Sequence, residues 1–211
     1  IEENPKDLST YGLDKPFIKL AFKTGKNSET LSLGHKNVTG SFVYGQKGDE
    51  KKVLFLYATL RSDLDKSLFD LRDKSLLHSD SPEIDTIQIS HGDLNIVTKQ
   101  NNNREWSIIE PANYKADEET IHSILLKLKN ERIKEFVAEK PDDLQPYGLD
   151  NPIYRVSVSF KENKGTRTIL YGSEKAGKDQ QVNSRENYAQ GKGVLYAQIE
   201  GEPAVFLVSS D

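Results

Sequence analysis

The stretch Gly172-Ser173-Glu174-Lys175-Ala176-Gly177-Lys178-Asp179 has the G-x-x-x-x-G-K spacing of a phosphate loop. Such a loop cradles phosphates with backbone N–H groups. It needs a Ser or Thr after the Lys to hold Mg²⁺, and then an apolar helix. Here Asp179 takes the place of the hydroxyl and sets a negative charge against the phosphates. Gln180 and Gln181 begin no apolar helix. The segment therefore reads as a polar hairpin loop, and no cofactor is assigned.

Other reactive residue types are scattered. His35, His78, His91 and His122 form no H-x-x-x-H pair, so a metal or general-base role would need convergence in the fold. There is no cysteine, hence no thiolate metal site, no cysteine nucleophile and no disulfide. No G-x-S-x-G nucleophile elbow occurs. Asp63, Asp65, Asp70 and Asp73 lack the Gly and final Glu of a calcium loop and read as a solvated helix face. These readings assign no catalytic residue and no metal ligand, and the chain is expected not to be an enzyme.

Aromatic residues are the remaining candidates. Trp106, the only tryptophan, is expected to cover a helix from a sheet face. Tyr171, Tyr188 and Tyr196 are a possible binding surface, with Tyr44 and Tyr57 as further candidates, although strand propensity alone explains tyrosines in strands. The chain of 211 residues has a net charge of −4 and no dense basic stripe, which disfavours nucleic acid as a partner. No apolar run is long enough to span a bilayer. A chain with no Met that opens at Ile1 reads as processed or excised, with room for a signal peptide or anchor upstream.

The elements that must position these residues come from an internal repeat. Residues 5–16 read PKDLSTYGLDKP and residues 141–152 read PDDLQPYGLDNP. Tyr11, Gly12, Leu13, Asp14 and Pro16 thus recur as Tyr147, Gly148, Leu149, Asp150 and Pro152. Gly12 and Gly148 can take positive φ and close a turn, and the following Asp-x-Pro launches a strand. Asp14 and Asp150 are expected to accept a nearby backbone N–H in an Asx turn. Strands are predicted at 17–22 and 153–160, then around Gly34 and Gly172, at 42–44 and 194–196, and at 53–56 and 205–208. A helix over 63–71 follows the first meander.

Between the copies, strands are predicted at 84–89, 94–99 and 106–109, the last ended by Pro111. Asp117 is an expected N-cap, with Glu118 and Glu119 in the first turn. Ile121, Ile124, Leu125 and Leu128 then make one apolar helical face. A returning strand at 133–138 completes β-β-β-α-β before the Tyr-Gly-Leu-Asp turn. The predicted class is α+β: antiparallel sheets with one packed helix per unit, in tandem repeated units of which the first is incomplete. Residues 1–77 read as the back half of a first unit and 78–211 as a second, nearly complete one.

The combination of Trp106, Pro111, Ala116-Asp117, the amphipathic helix, Tyr147-Gly148-Leu149-Asp150-x-Pro152 and Gly172 resembles the bacterial family called domain of unknown function 4340. The resemblance implies an extracytoplasmic protein behind an N-terminal membrane anchor, encoded beside ABC-transporter components, including those linked to gliding motility. It carries over no catalytic residues. The expected function is a non-catalytic binding or scaffolding module with protein partners, among them ABC-transporter membrane subunits. A membrane is met only through an anchor outside this chain. A small-ligand or glycan-binding domain is the alternative, and a hydrolase the third. A free sheet edge near 205–208 would favour a protein partner, and a shallow aromatic groove a ligand.

Overall fold

A computed structural model describes residues 2–78, 83–175 and 193–210. The chain divides into two compact units, residues 1–72 and 73–211. Asp73 to Leu77 fold with the second unit, where Leu76 and Leu77 are buried in the core.

The first unit is a four-stranded antiparallel meander, β1 (Ile18–Thr24), β2 (Asn27–Lys36), β3 (Phe42–Lys47) and β4 (Leu54–Tyr57), in sequence order. Two short helices follow, α1 (Ala58–Leu64) and α2 (Leu68–Leu71), neither with a buried residue. The single helix predicted over 63–71 is therefore broken. Ser67 and Asp70 form a capping box that starts a new helix, while Asp65 leaves helical geometry at ψ 73°.

Among the described residues the second unit holds one nine-stranded antiparallel sheet. Its members are β5 (Ile84–His91), β6 (Leu94–Gln100), β7 (Trp106–Glu110), β8 (Tyr114–Lys115), β9 (Glu135–Ala138), β10 (Tyr154–Phe160), β11 (Thr166–Glu174), β12 (Val194–Ile199) and β13 (Val205–Ser209). Their order across the sheet is β8-β7-β6-β5-β10-β11-β12-β13-β9. Helix α3 (Glu118–Asn130) packs on one face through Ile121, Ile124, Leu125 and Leu128. The Asp117 carboxylate accepts from the Thr120 N–H at 3.0 Å, and Lys127 and Lys129 lie in the last turn. Trp106, Ile87, Val158, Ile169 and Phe206 fill the core beneath the helix. On the opposite face a smaller cluster, Leu149, Leu170 and Val205, anchors the Tyr-Gly-Leu-Asp turn.

The two meanders repeat bond for bond. Ile18 pairs Leu33 and Leu33 pairs Gly45, as Tyr154 pairs Tyr171 and Tyr171 pairs Ala197. Each has a bulge at the same place, between Leu33 and Lys36 and between Tyr171 and Glu174. Phe42 pairs Tyr57 as Val194 pairs Ser209. The isolated bridge between Glu2 and Val53 takes the position of Ala138 against Val205. What differs is the covering: β10 is flanked by β5 and β13 by β9, whereas β1 and β4 end their sheet.

Candidate functional site

The repeated motif is a turn clasped onto its own sheet. Gly12 (φ 66°) and Gly148 (φ 65°) close short 3₁₀ turns at Ser9–Tyr11 and Gln145–Tyr147. The strand glycines Gly34 and Gly172 lie beneath these turns. A Cβ on either would stand 2.1 Å from the carbonyl oxygen of Tyr11 or Tyr147. Tyr11 meets Tyr44 edge-on at 4.9 Å, and Tyr147 meets Tyr196 edge-on at 5.2 Å. Leu13 and Leu149 are buried, while Pro16 and Pro152 are half-buried. The carboxylates that accept from the turn backbone are Asp7, from the Ser9 N–H, and Asp143, from the Gln145 N–H, each at 2.9 Å. Asp14 and Asp150, expected in that role, are exposed. The capping position two residues before the 3₁₀ turn is the one whose side chain reaches an unpaired N–H.

Of the tyrosines expected to form a surface, Tyr171 and Tyr196 lie on opposite faces of the sheet. Tyr171 faces the α3 core, and burial pushes its hydroxyl up to about 12. Tyr196 lies on the opposite face against Tyr147. Tyr171 pairs with Ala197, so its neighbour Tyr196 must point the other way. Tyr188 lies outside the described residues, as does the stretch from Ala176 that would complete the phosphate-loop pattern. Gly172 to Glu174 belong to β11.

The remaining candidates also separate. Trp106 is 4% exposed, Pro111 is exposed after a cis peptide bond, and Asp117 caps α3. His35 lies against Gly12, and His78 is 3.0 Å from Asp73. His91 stacks on Tyr154 at 4.4 Å, and His122 is exposed on α3. Among the described residues no three His, Asp or Glu side chains could hold a metal ion. Two open clefts flank α3. One, of about 330 Å³, is lined by Trp106, Leu125, Glu83 and Lys161, the last two in a 2.7 Å ion pair. The other, of about 310 Å³, is lined by Ile124, Tyr154, Val156, Tyr171 and Leu195.

The most distinctive surface is in the first unit. The β3–β4 pairing sets Phe42 beside Tyr57 and Tyr44 beside Phe55 on one face. Ring centroids run Tyr11–Tyr44 4.9 Å, Tyr44–Phe55 5.4 Å, Phe55–Phe42 6.1 Å and Phe42–Tyr57 5.4 Å. This is a continuous row of five rings. Its outer end is open: Phe55 is 52% and Tyr57 73% exposed. At the inner end the Tyr11 hydroxyl donates to Glu2, which holds its pKa above the usual tyrosine value. In the second unit Tyr147 and Tyr196 keep the inner pair, while Val194, Leu207 and Ser209 stand in place of Phe42, Phe55 and Tyr57, and Leu207 is 3% exposed. The sequence signal was present in Phe42-x-Tyr44 and Phe55-x-Tyr57, two strand segments with aromatics on one face.

The family described as domain of unknown function (DUF4340) matches the chain twice, over residues 1–108 and 106–211. The chain belongs to this family and carries it as a tandem repeat. No curated protein and no solved structure matches the chain. Among the described residues, no helix is long and apolar enough to cross a membrane.

Proposed function

We propose that the chain is a non-catalytic binding and scaffolding module whose contact face is the aromatic row of the first unit. One observation carries this reading. A repeated fold keeps its register and turns in both copies but places the exposed Phe55 and Tyr57 rings in the first, where the second has Leu207, which is buried, and Ser209. Exposed, contiguous aromatic surface on an otherwise polar chain marks an interaction site, because water contact with that surface is unfavourable. The partner is a protein. By the family resemblance, it is a membrane subunit of an ABC-transporter system, met outside the cytoplasm by a membrane-tethered protein. We read each complete unit as a sheet with one packed helix, as α3 packs in the second.

The test places a photo-crosslinking amino acid at Tyr57 in the full-length protein in its own membranes. A covalent adduct with a transporter subunit is expected, lost on Phe55→Ser. Adducts restricted to further copies of the same chain would overturn the reading. A small-ligand or glycan site is the second reading, favoured by the apolar cleft at Tyr171. It predicts a ligand-induced rise in Tm that Tyr171→Phe alters and Tyr57→Ser does not.

A further inference from the structure

The cleft at Trp106 and Leu125 has an apolar floor and a cationic rim. Leu77 and Trp106, both buried, form the floor with the half-buried Leu125. Arg104 and Lys129 are exposed above it, and Lys161 is half-buried beside Glu83. The strands that end here, β5, β6, β7 and β10, are each paired on both sides, so no open sheet edge shapes the cleft. Its volume of about 330 Å³ lies at the lower end of the ~300–1,000 Å³ usual for small-molecule sites.

Local chemistry fixes the rim. Between β6 and β7 the Asn101 side chain accepts from the N–H groups of Asn103 and Glu105, at 2.9 and 3.0 Å. The Gln100 amide donates to the Arg104 carbonyl at 3.2 Å. This turn holds Arg104 at φ 66°, a left-handed conformation that few residues with a Cβ adopt. Lys129 lies in the last turn of α3, four residues after Leu125, so the two share one side of the helix. Lys161 bonds Glu83 at 2.7 Å, and Arg104 approaches the same carboxylate at 3.9 Å. Among the described residues Lys129 has no ion-pair partner. His78, also on the lining, is 3.0 Å from Asp73. Arg104, Lys129 and Lys161 thus face Glu83 alone, an excess of positive charge in a chain of net charge −4.

We propose that this cleft binds a small amphiphilic carboxylate, its apolar body on Trp106 and Leu125 and its carboxylate with Lys129 and Arg104. The apolar body takes water off the floor. The carboxylate accepts charge-assisted hydrogen bonds, which are stronger than neutral ones, and the planar guanidinium of Arg104 matches its two oxygens. A cationic ligand is opposed by the same excess charge. A bare inorganic anion leaves the floor wet. The cleft lies in the second unit, and the inference rests neither on the aromatic row nor on the cleft at Tyr171.

The probe is phenylpropanoate, titrated against the full chain at low salt and followed by the fluorescence of Trp106, the only tryptophan. Saturation is expected with a Kd of a few millimolar, as for a ligand of this size. Phenylpropanamide, which is neutral, and propanoate, which has no ring, should each bind about tenfold more weakly. Lys129→Gln should weaken the carboxylate about fivefold, with Lys129→Arg restoring it, and should leave the amide unchanged. Glu83→Gln, which frees Arg104 and Lys161 from their shared acid, should tighten the carboxylate about threefold. Equal affinity of acid and amide, a response to Tyr171→Phe in place of Lys129→Gln, or no saturation below about 20 mM would each overturn the proposal. Phe55→Ser with Tyr57→Ser should leave the titration unchanged, so failure of the aromatic-face reading is distinguishable from failure here.

Discussion

The meanders β1–β4 and β10–β13 share register, bulge and turn, yet the second is buried on both faces and the first is not. Its partners β5, β9 and α3 explain why. Phe206 in β13 is 2% exposed, whereas Leu54 at the same place in β4 is only half-buried. Val208 is fully buried, whereas Leu56 is half-buried. The same hydrogen-bond geometry thus carries a closed core in one copy and, among the described residues, exposed aromatic rings in the other. Backbone pattern sets the scaffold, and the elements packed against it decide which side chains are left to act.

The comparison can be broken most sharply at Phe206. Phe206→Ala should cost about 3–5 kcal/mol, the range for a large aromatic lost from a core. Leu54→Ala should cost about 1 kcal/mol, because half of its contact surface is already wet. Urea unfolding followed by Trp106 fluorescence for the second unit, and by amide exchange for the first, measures both. Equal losses would mean the copies are equally packed.

Next come the glycines. Gly172→Ala and Gly34→Ala each drive a methyl into a turn carbonyl and should cost about 3 kcal/mol in their own unit. Gly148→Ala should cost about 1–2 kcal/mol from its left-handed φ, with more from the Ser173 backbone nitrogen, 2.8 Å from the new Cβ. Gly12→Ala has its three nearest contacts on the His35 ring, which can turn aside, and should be the milder of the pair. The reverse order, read by thermal unfolding, would contradict the description of the two clasps.

Smaller effects distinguish the ends of the second unit. Asp117→Ala should lose about 1 kcal/mol by uncapping α3. Hydrogen bonds from the Ser75 backbone and hydroxyl, with His78 nearby, hold Asp73 at about 2, below the usual 3.8. A carboxyl lowered on folding adds stability above its unfolded value and loses it as pH falls. That loss should run from about pH 4 to pH 2, and Asp73→Asn should flatten it. Because Asp73 is exposed, it is worth under about 1 kcal/mol. Smallest of all, Phe55→Ser with Tyr57→Ser should shift stability by about 0.5 kcal/mol or less. A larger loss, seen as a lower Tm, would show that the row is core rather than contact surface.

Much of the scaffold was legible because local chemistry wrote it. The Tyr-Gly-Leu-Asp turns, the capped helix α3 and the hairpins each follow from residue type at short range. The pairing of β5 with β10 was not legible, because it joins segments separated by the whole of β6 to β9. Nor was the place of β9 beside β13, which closes the edge at 205–208 where a partner was sought. Tyr171 and Tyr196 were grouped as one surface because facing depends on cross-strand register, which single-strand alternation does not supply. The aromatic row escaped notice because its rings were weighed one residue at a time. Their meaning lies in the β3–β4 pair.

The two family matches meet within β7, yet the folded units meet between Arg72 and Asp73. The bounds of the family matches and of the folded units therefore do not coincide. Strands β5 and β6 are coded with the first match but complete the sheet of the second. A gene fragment cut where the family matches meet would yield a β10 stripped of β5, with its row of amides left to pair with whatever strand is at hand. A cut after Arg72 would keep that sheet whole. For anyone cloning, shuffling or fusing such repeats, the useful punctuation is the one written in hydrogen bonds.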